Sequence, residues 1–234
     1  MIKQSIPNTI TCLNLFSGSL ACVFALRYDN LTVAFWLILA AAIFDFFDGF
    51  AARGLKAFSP LGADLDSLAD VISFGLAPGA MIYSYLNVIT HENPVAFAGF
   101  LLPVFAALRL AKFNIDTRQT TSFLGLPVPA SALFWASLIP VIRPYSEANP
   151  ILCSVVILVL VLAFCGLMVS EIPMFSLKFK NFTWKDNQPP FLLIGISAAY
   201  ILIFAAIGKL LLSVSFIILT YILMSVLVKP EVEK

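Results

Sequence analysis

Long apolar runs dominate the chain and limit the folds open to it. Each run has about 17–25 residues, which is the length that a helix needs to cross a bilayer core. Hydrophobic residues make up 61% and charged residues 12% of the sequence, against about 45–50% and about 25% in soluble domains. The sequence therefore predicts an all-α, polytopic membrane helix bundle with about eight transmembrane helices. The runs fall near Ile6–Leu26, Leu31–Gly54, Gly62–Leu86, Pro94–Phe113, Leu124–Ile142, Ile151–Ile172, Phe191–Ile207 and Gly208–Val228.

The domain organisation predicted for this bundle is simple. No internal repeat, low-complexity tract or linker divides the sequence, so residues 1–234 are expected to form a single integral-membrane domain. Only Gly208 and Lys209 separate the last two runs, and one bent helix over residues 191–228 is an open alternative to two spans. An aromatic and basic segment, Glu171–Gln188, is expected to anchor the chain at the membrane surface.

The lysines and arginines predict the orientation of the bundle. With a cytoplasmic N-terminus, Arg27, Arg143 and Lys209 lie on the side of the membrane opposite the cytoplasm. The other eleven lysines and arginines lie on the cytoplasmic side, and this excess favours the orientation over its inverse. They are Lys3, Arg53, Lys56, Arg109, Lys112, Arg118, Lys178, Lys180, Lys185, Lys229 and Lys234. The expectation is a protein of the cell inner membrane whose second and third helices carry an active site at their cytoplasmic ends.

A cluster of carboxylates interrupts the apolar sequence at this end. Five of the chain's 13 acidic residues lie within residues 45–70, although each Asp at a bilayer centre costs about 2.5–3.5 kcal/mol. Asp45 and Asp48 are three residues apart and Asp66 and Asp70 are four apart, so each pair shares a helix face. Such an all-oxygen surrounding suits a hard divalent cation, Mg²⁺ or Mn²⁺. Salt bridges are a weaker explanation, because the neighbouring Arg53 and Lys56 cannot neutralise five carboxylates.

The residues between the two pairs indicate a helix, a short turn and a second helix. Gly49 and Ala52 are small enough for a bulky ligand to approach the backbone. Arg53 suits a phosphate oxygen. Ser59-Pro60 and Gly62 end one helix and begin the next.

The motif formed by these residues resembles the signature of the CDP-alcohol phosphotransferases, membrane enzymes of phospholipid synthesis. It reads DxxDGxxAR(x)8GxxxDxxxD, from Asp45 to Asp70, with all eight fixed positions present. The flanking stretches PNTITCLNLFSG, SLADVISFGLAPG, ALRLAKFN and FLGLPVPASA look more narrowly like the bacterial phosphatidylserine synthase branch.

The resemblance implies a set of roles around one nucleotide diphosphate. Metal ligands would be Asp45, Asp48, Asp66 and Asp70, and Asp70 would also be the general base. The substrates would be CDP-diacylglycerol and L-serine, the products phosphatidylserine and CMP, and a homodimer is expected. For Asn8 and Thr11, an ordinary helix-start cap is an equal alternative. The nucleotide site implied by the resemblance contains Asn8, Thr11, Asp48, Gly49, Ala52, Arg53 and Gly62.

The acceptor pocket has a weaker signature. Arg109, Lys112 and Asn114 at the end of the fourth run could hold a lipid phosphate or the acceptor carboxylate, but they also fit an ordinary positive-inside flank. Ser73, three residues past Asp70, is expected to face the same side. Glycerol 3-phosphate or inositol phosphate are alternative acceptors. A cation- or proton-coupled transporter is a distant alternative, because its acids would be spread through the membrane.

Neither a nucleic-acid partner nor disulfide bonds are expected. The formal net charge is only +1 and no basic stripe is present, so a nucleic-acid partner is excluded. The four cysteines lie in apolar segments without CxxC spacing, so no disulfide framework is implied.

Overall fold

The computed structural model describes residues 2–116, 123–175 and 187–228. Arg118, Lys178, Lys180, Lys185, Lys229, Lys234 and most of the predicted anchor segment lie outside these residues. Helices account for nearly all of the described chain. They are α1 Ile2–Leu26, α2 Leu31–Gly54, α3 Pro60–Asp70, α4 Ala77–Ile89, α5 Leu101–Ile115, α6 Val128–Ile142, α7 Pro150–Val169, α8 Gln188–Ala206 and α9 Leu210–Val228.

Seven helical segments within the described ranges are long and apolar enough to cross a membrane. The chain is therefore an integral membrane protein, as the apolar runs predicted. The remaining predicted run gives α6, whose 15 residues fall short of the roughly 20 needed to span. Its run was predicted to start at Leu124, but Phe123–Leu124 forms a short strand and the helix begins only at Val128.

The third span is one continuous helical segment with a change of hydrogen bonding inside it. Residues Val71–Leu76, between α3 and α4, form a π-helical turn directly after Asp70. The N–H of Ala77 accordingly donates to the carbonyl of Ile72, five residues back. Such wide turns rotate the following side chains relative to a regular α-helix.

Small residues let α1 approach this π-helical turn. A Cβ on Gly18 would lie only 2.2 Å from the Ser73 Oγ, so only glycine permits this contact. The Ser73 hydroxyl donates a hydrogen bond of 3.0 Å to the Asn14 carbonyl of α1. The contact brings the polar face of α1 beside Asp70.

The short helix α6 forms the centre of the bundle. Its Phe134 and Trp135 are buried, and Phe134 stacks on Phe164 of α7 with ring centroids 4.3 Å apart. Ser137 shares a 2.6 Å hydrogen bond with Ser215 of α9. Because α6 is buried among other helices, it can lie within the bundle although it is too short to span the membrane.

The C-terminal apolar stretch forms two helices, which settles the alternative left open by the sequence. Gly208 lies between α8 and α9 with a φ of +70°, a conformation that glycine adopts without strain. The rings of Phe204 and Phe216 pack 5.0 Å apart, and Thr220 donates to the Tyr200 hydroxyl at 3.2 Å. The two helices therefore pair as a hairpin.

A two-stranded antiparallel ribbon ties the loop before α6 to the end of α7. Phe123 pairs with Met174, and Leu124 pairs with Pro173. Gly125 follows with a φ of +73°, where a Cβ would lie 2.5 Å from the Met168 carbonyl oxygen. These are the strands of the described ranges, and the fold is all-α as predicted.

The two ends of α2 mark the two ends of the bundle. The inner end is defined here as the end with Asp45 and Asp48, and the outer end as the one near Asp29. At the outer end, Arg143 forms a bidentate ion pair with Asp29, which also accepts a 2.8 Å hydrogen bond from Ser84. Asp29 is thus compensated by protein groups.

Candidate active site

The four motif aspartates come from two consecutive helices. Asp45 and Asp48 lie on α2, and Asp66 and Asp70 lie on α3. The carboxylate oxygens of Asp45, Asp48 and Asp66 lie within 4.8 Å of one another. The spacing within the helices and the turn between them therefore converge three acids on one point.

Local sequence sets the turn that makes this convergence possible. Helix α2 ends at Gly54 with Leu55 as its C-cap, and Lys56 has a positive φ of 49°. Ser59 caps α3 by accepting a 3.0 Å hydrogen bond from the Gly62 N–H, and Pro60 fills the first helical position, where no N–H is needed. The predicted helix–turn–helix arrangement is confirmed.

Asp70 lies beside this group of three without being part of it. Its side chain is 7% exposed, and its Oδ1 accepts a long 3.4 Å hydrogen bond from the Asn14 Nδ2. The charges of the other three aspartates act on it. The sequence predicted Asp70 as a fourth ligand and as the general base, whereas the group within 4.8 Å in the structure contains the other three.

A polar stripe on α1 faces the acidic cluster. Asn8, Thr11 and Asn14 follow one another at three-residue spacing, which places them on one face. The Thr11 hydroxyl donates to the Asp48 Oδ2 at 2.7 Å, and Asn14 contacts Asp70. Sequence analysis missed Asn14 as a site residue, although its spacing from Thr11 was the available signal.

A cavity of about 230 Å³ opens between this stripe and the α2–α3 turn. Six of the seven residues predicted for the nucleotide site line this cavity. Phe58 and Ser59 of the turn also line it and were not predicted. The lining residues are Pro7, Asn8, Thr11, Asp48, Gly49, Ala52, Ala57, Phe58, Ser59, Gly62, Ala63 and Asp66.

Glycines keep the cavity open, and Arg53 lies next to it. A Cβ on Gly62 would be 3.0 Å from the Asn8 Oδ1. A Cβ on Gly49 would be 3.3 Å from the Arg53 Nη1. Arg53, the seventh predicted nucleotide residue, is exposed and its guanidinium folds over Gly49.

Arg109 is the acceptor candidate that the structure brings nearest to the acids. Its side chain is buried, and its Nε finds no hydrogen-bond partner within the described ranges. It interacts electrostatically with Asp70 and with Tyr221 of α9. A buried guanidinium with a free donor beside a carboxylate is a plausible anion site.

The other acceptor candidates lie elsewhere. Lys112 is exposed and forms a 3.4 Å ion pair with Glu171. Asn114 donates a 2.9 Å hydrogen bond to Ser67. Ser73 is fully buried with its hydroxyl on the Asn14 carbonyl, so the structure does not bring it to the cavity. Ser73 and Asp70 nevertheless face the same helix, because both form a hydrogen bond with Asn14 of α1.

The acidic cluster fits a hard divalent cation. The Asp66 Oδ1 is buried and has no hydrogen-bond partner in the described part of the chain. An unpartnered buried acceptor is costly, and two more carboxylates lie within 4.8 Å of it. All three side chains offer oxygen, the donor atom that Mg²⁺ and Mn²⁺ prefer.

Comparison with known sequences defines the class of protein. The CDP-alcohol phosphatidyltransferase family matches residues 4–167, which include α1 to α7 almost entirely. The chain belongs to this family. The cavity and the aspartate cluster both lie within the matched region.

Three relatives within this family show which of its members the chain is similar to. The chain is 38% identical over 184 residues to a CDP-diacylglycerol–serine O-phosphatidyltransferase of Bacillus subtilis, covering 76% of this chain and 90% of the relative. It is 39% identical over 129 residues, 54% of each chain, to the Helicobacter pylori protein of that name. An archaetidylserine synthase of Methanothermobacter thermautotrophicus is 36% identical over 137 residues, 55% of each chain. The match spans about half the length of the last two relatives.

Proposed function

We propose that this protein transfers the phosphatidyl group of CDP-diacylglycerol to L-serine, giving phosphatidylserine and CMP. The observation that carries the proposal is the group of three aspartates, with Asp70 beside it, at the edge of a cavity lined by the family motif. Relatives named for serine transfer favour serine over glycerol 3-phosphate or inositol phosphate.

The cavity is the proposed nucleotide site. Its volume of about 230 Å³ is below the roughly 300–1,000 Å³ of whole-ligand pockets, which suits a nucleotide head whose acyl chains stay in the lipid. Gly49, Ala52 and Gly62 let the ligand approach the helix backbones. Asn8 and Thr11 offer polar contacts, and the Arg53 guanidinium is free to reach a phosphate.

Asp45, Asp48 and Asp66 are the proposed holders of a divalent cation, with Asp70 as an additional ligand or neighbour. When bound, such an ion would offset phosphate charge and favour departure of the nucleotide. Thr11 contributes by fixing the Asp48 carboxylate through its hydrogen bond. Whether the ion is Mg²⁺ or Mn²⁺ is left to the experiment.

Asp70 is the proposed general base. The serine Oγ forms a bond to the lipid-side phosphorus, and the bond from that phosphorus to the bridging oxygen breaks. CMP leaves with the electron pair, and the serine proton passes to Asp70. Asn14 holds one oxygen of Asp70, which orients the other toward the acceptor.

Arg109 is the proposed anion contact for the serine carboxylate or the lipid phosphate. Its burial strengthens such a contact, because a guanidinium pairs best with an oxyanion away from water. Lys112 and Asn114 would act at the rim of the site.

The setting of the reaction is also part of the proposal. The positive-inside balance supports an inner-membrane protein with this site facing the cytoplasm, where CMP is released and serine is available. We further propose one catalytic unit over the whole chain, since Tyr221 of α9 donates to the Phe175 carbonyl at 3.1 Å. A homodimer is the expected assembly.

The test is CMP release from CDP-diacylglycerol by the purified full chain in detergent. Serine, glycerol 3-phosphate and inositol phosphate are supplied in turn, with Mg²⁺, with Mn²⁺ and with chelator. We expect release with serine that chelator abolishes and metal restores. CMP release only with a phosphorylated acceptor would show that serine is not the acceptor, although the enzyme class would stand. CMP release that chelator does not affect would contradict the proposed role of a cation.

A further inference from the structure

A second cavity lies at the outer end of the bundle. This outer-end cavity has a volume of about 400 Å³, and its lining includes Tyr85, Tyr145, Val156, Ile157, Lys209 and Leu212. Tyr85 follows Asp70 by 15 residues on one helical span, which is roughly 22 Å at about 1.5 Å per residue. The outer-end cavity is therefore separate from the proposed active site.

The walls of the outer-end cavity are mostly apolar, but a cation lies at its edge. The Lys209 Nζ lies 4.4 Å from the centroid of the Tyr145 ring. No carboxylate whose side chain the structure describes forms an ion pair with Lys209. The nearby Arg143 is already paired with Asp29. The positive charge of Lys209 is thus available to a ligand.

A buried donor also faces the outer-end cavity. Tyr85 is fully buried, and its hydroxyl lies near the Ser146 and Cys153 side chains without a hydrogen bond of normal geometry in the described ranges. The neighbouring Ser146 instead donates to the Arg143 carbonyl at 2.7 Å. Because buried hydroxyl groups are normally paired, the Tyr85 hydroxyl can turn from these weak partners to a stronger acceptor that enters the cavity.

We propose that the outer-end cavity binds an anionic phospholipid, with one acyl chain in the cavity, the phosphate on Lys209 and an ester oxygen accepting from Tyr85. Each part of this ligand matches a part of the site. The apolar walls match the acyl chain, the Lys209 ammonium matches the headgroup, and the Tyr85 hydroxyl matches the ester. The surrounding bilayer supplies such a ligand directly. This site does not depend on the proposed catalytic function.

Native mass spectrometry of the full chain tests the proposal. The protein is freed of lipid in neutral detergent and mixed with equal amounts of phosphatidylglycerol and phosphatidylcholine. We expect one phosphatidylglycerol to be retained with about tenfold preference, because both lipids carry the phosphate but the quaternary ammonium of phosphatidylcholine would lie beside the Lys209 cation and oppose the contact. Equal retention of the two lipids by the wild-type chain would overturn the proposal.

Matched variants assign that lipid to the outer-end cavity. Lys209→Gln is expected to remove most of the tenfold preference, whereas Arg27→Gln, which changes an exposed cation of the same end outside the cavity, should keep it. Equal losses in both would indicate general surface charge and contradict the site. Tyr85→Phe should weaken retention by about threefold while leaving the lipid-free fold intact.

A steric pair gives a test independent of charge. Val156 lines the cavity and Val155 does not, yet both are exposed, at 46% and 52%. Val156→Trp is expected to abolish retention of that phosphatidylglycerol, and Val155→Trp to preserve it. Equal lipid retention in the two variants would refute the site. Loss of a dimer peak in Val156→Trp alone, without a change in lipid, would instead make the cavity a contact between copies.

Discussion

The inner and outer ends of the bundle treat acidic charge in opposite ways. At the outer end, Asp29 is paired with Arg143 and accepts a hydrogen bond from Ser84. At the inner end, three aspartates share a space of 4.8 Å, and the Asp66 Oδ1 has no described partner. The outer acid is compensated by the protein itself. The inner acids have no ion pair with a basic side chain in the described part of the chain, an arrangement that suits a cation site rather than a structural ion pair.

The largest effect on the rate of CMP release is expected when one acid at each end of the bundle is replaced and the two variants are compared. Asp70→Asn should lower the rate of CMP release about 10³-fold, because loss of a general base costs about 10²–10⁴. Asp29→Asn should leave the rate within about twofold, since exposed ion pairs contribute only about 0–1 kcal/mol to stability. Initial rates at saturating serine provide the measurement. Near-normal turnover by Asp70→Asn would contradict the base assignment.

Removal of one proposed metal ligand should have the second-largest effect on activity. Asp66→Asn should raise the metal concentration needed for half-maximal activity at least tenfold, because it removes one of three neighbouring oxygen donors. Mg²⁺ and Mn²⁺ titrations of CMP release measure this shift. Asp64→Asn is the matched control, since Asp64 lies on the same helix but is exposed. An equal shift in both variants would point to surface charge instead of coordination.

The contact from α1 should matter less than the acids themselves. Asn14→Ala is expected to lower kcat about tenfold with little change in KM for CDP-diacylglycerol, because the Asn14 amide positions Asp70 and removal of such supporting groups commonly costs about 10–100-fold. Steady-state kinetics separates the two constants. A change in KM alone would show that Asn14 serves binding rather than the base.

The smallest expected effect concerns the shape of the cavity. Gly62→Ala should raise KM for CDP-diacylglycerol several-fold, because its Cβ would lie 3.0 Å from the Asn8 Oδ1. Gly54→Ala is the control, since nothing lies within 4 Å of a Cβ there, and alanine should stabilise the helix by about 0.5–1 kcal/mol. Equal KM values for the two variants would argue that the nucleotide lies elsewhere.

Local sequence was sufficient to predict the helix–turn–helix arrangement of the acids. The three- and four-residue spacings fix the faces of α2 and α3, and Ser59-Pro60 fixes the start of α3. Spacing alone could not predict that Asp70 lies apart from the other three. Spacing also does not reveal the packing of α1, whose Asn14 contacts Asp70 and whose Gly18 lies against Ser73.

The errors have physical causes that no single-sequence pattern reveals. Ser73 was expected at the acceptor pocket because it follows Asp70 by three residues, but its hydroxyl is bound to the Asn14 carbonyl and it does not line the cavity. The run near Leu124 was read as a full span because its composition is apolar, yet its first residues form strand and loop. Asn14 was overlooked because a single buried asparagine carries little signal before the face of α1 is known.

Cation binding at the inner end is the central claim, and electron paramagnetic resonance of Mn²⁺ tests it most directly. Free Mn²⁺ is titrated against the purified full chain and against a double variant, Asp45→Asn with Asp66→Asn. We predict that the wild-type chain removes Mn²⁺ from the free signal in a saturable way, that Mg²⁺ displaces it, and that the double variant does not bind. Equal binding by both proteins, or none by either in the presence of CDP-diacylglycerol, would contradict the account.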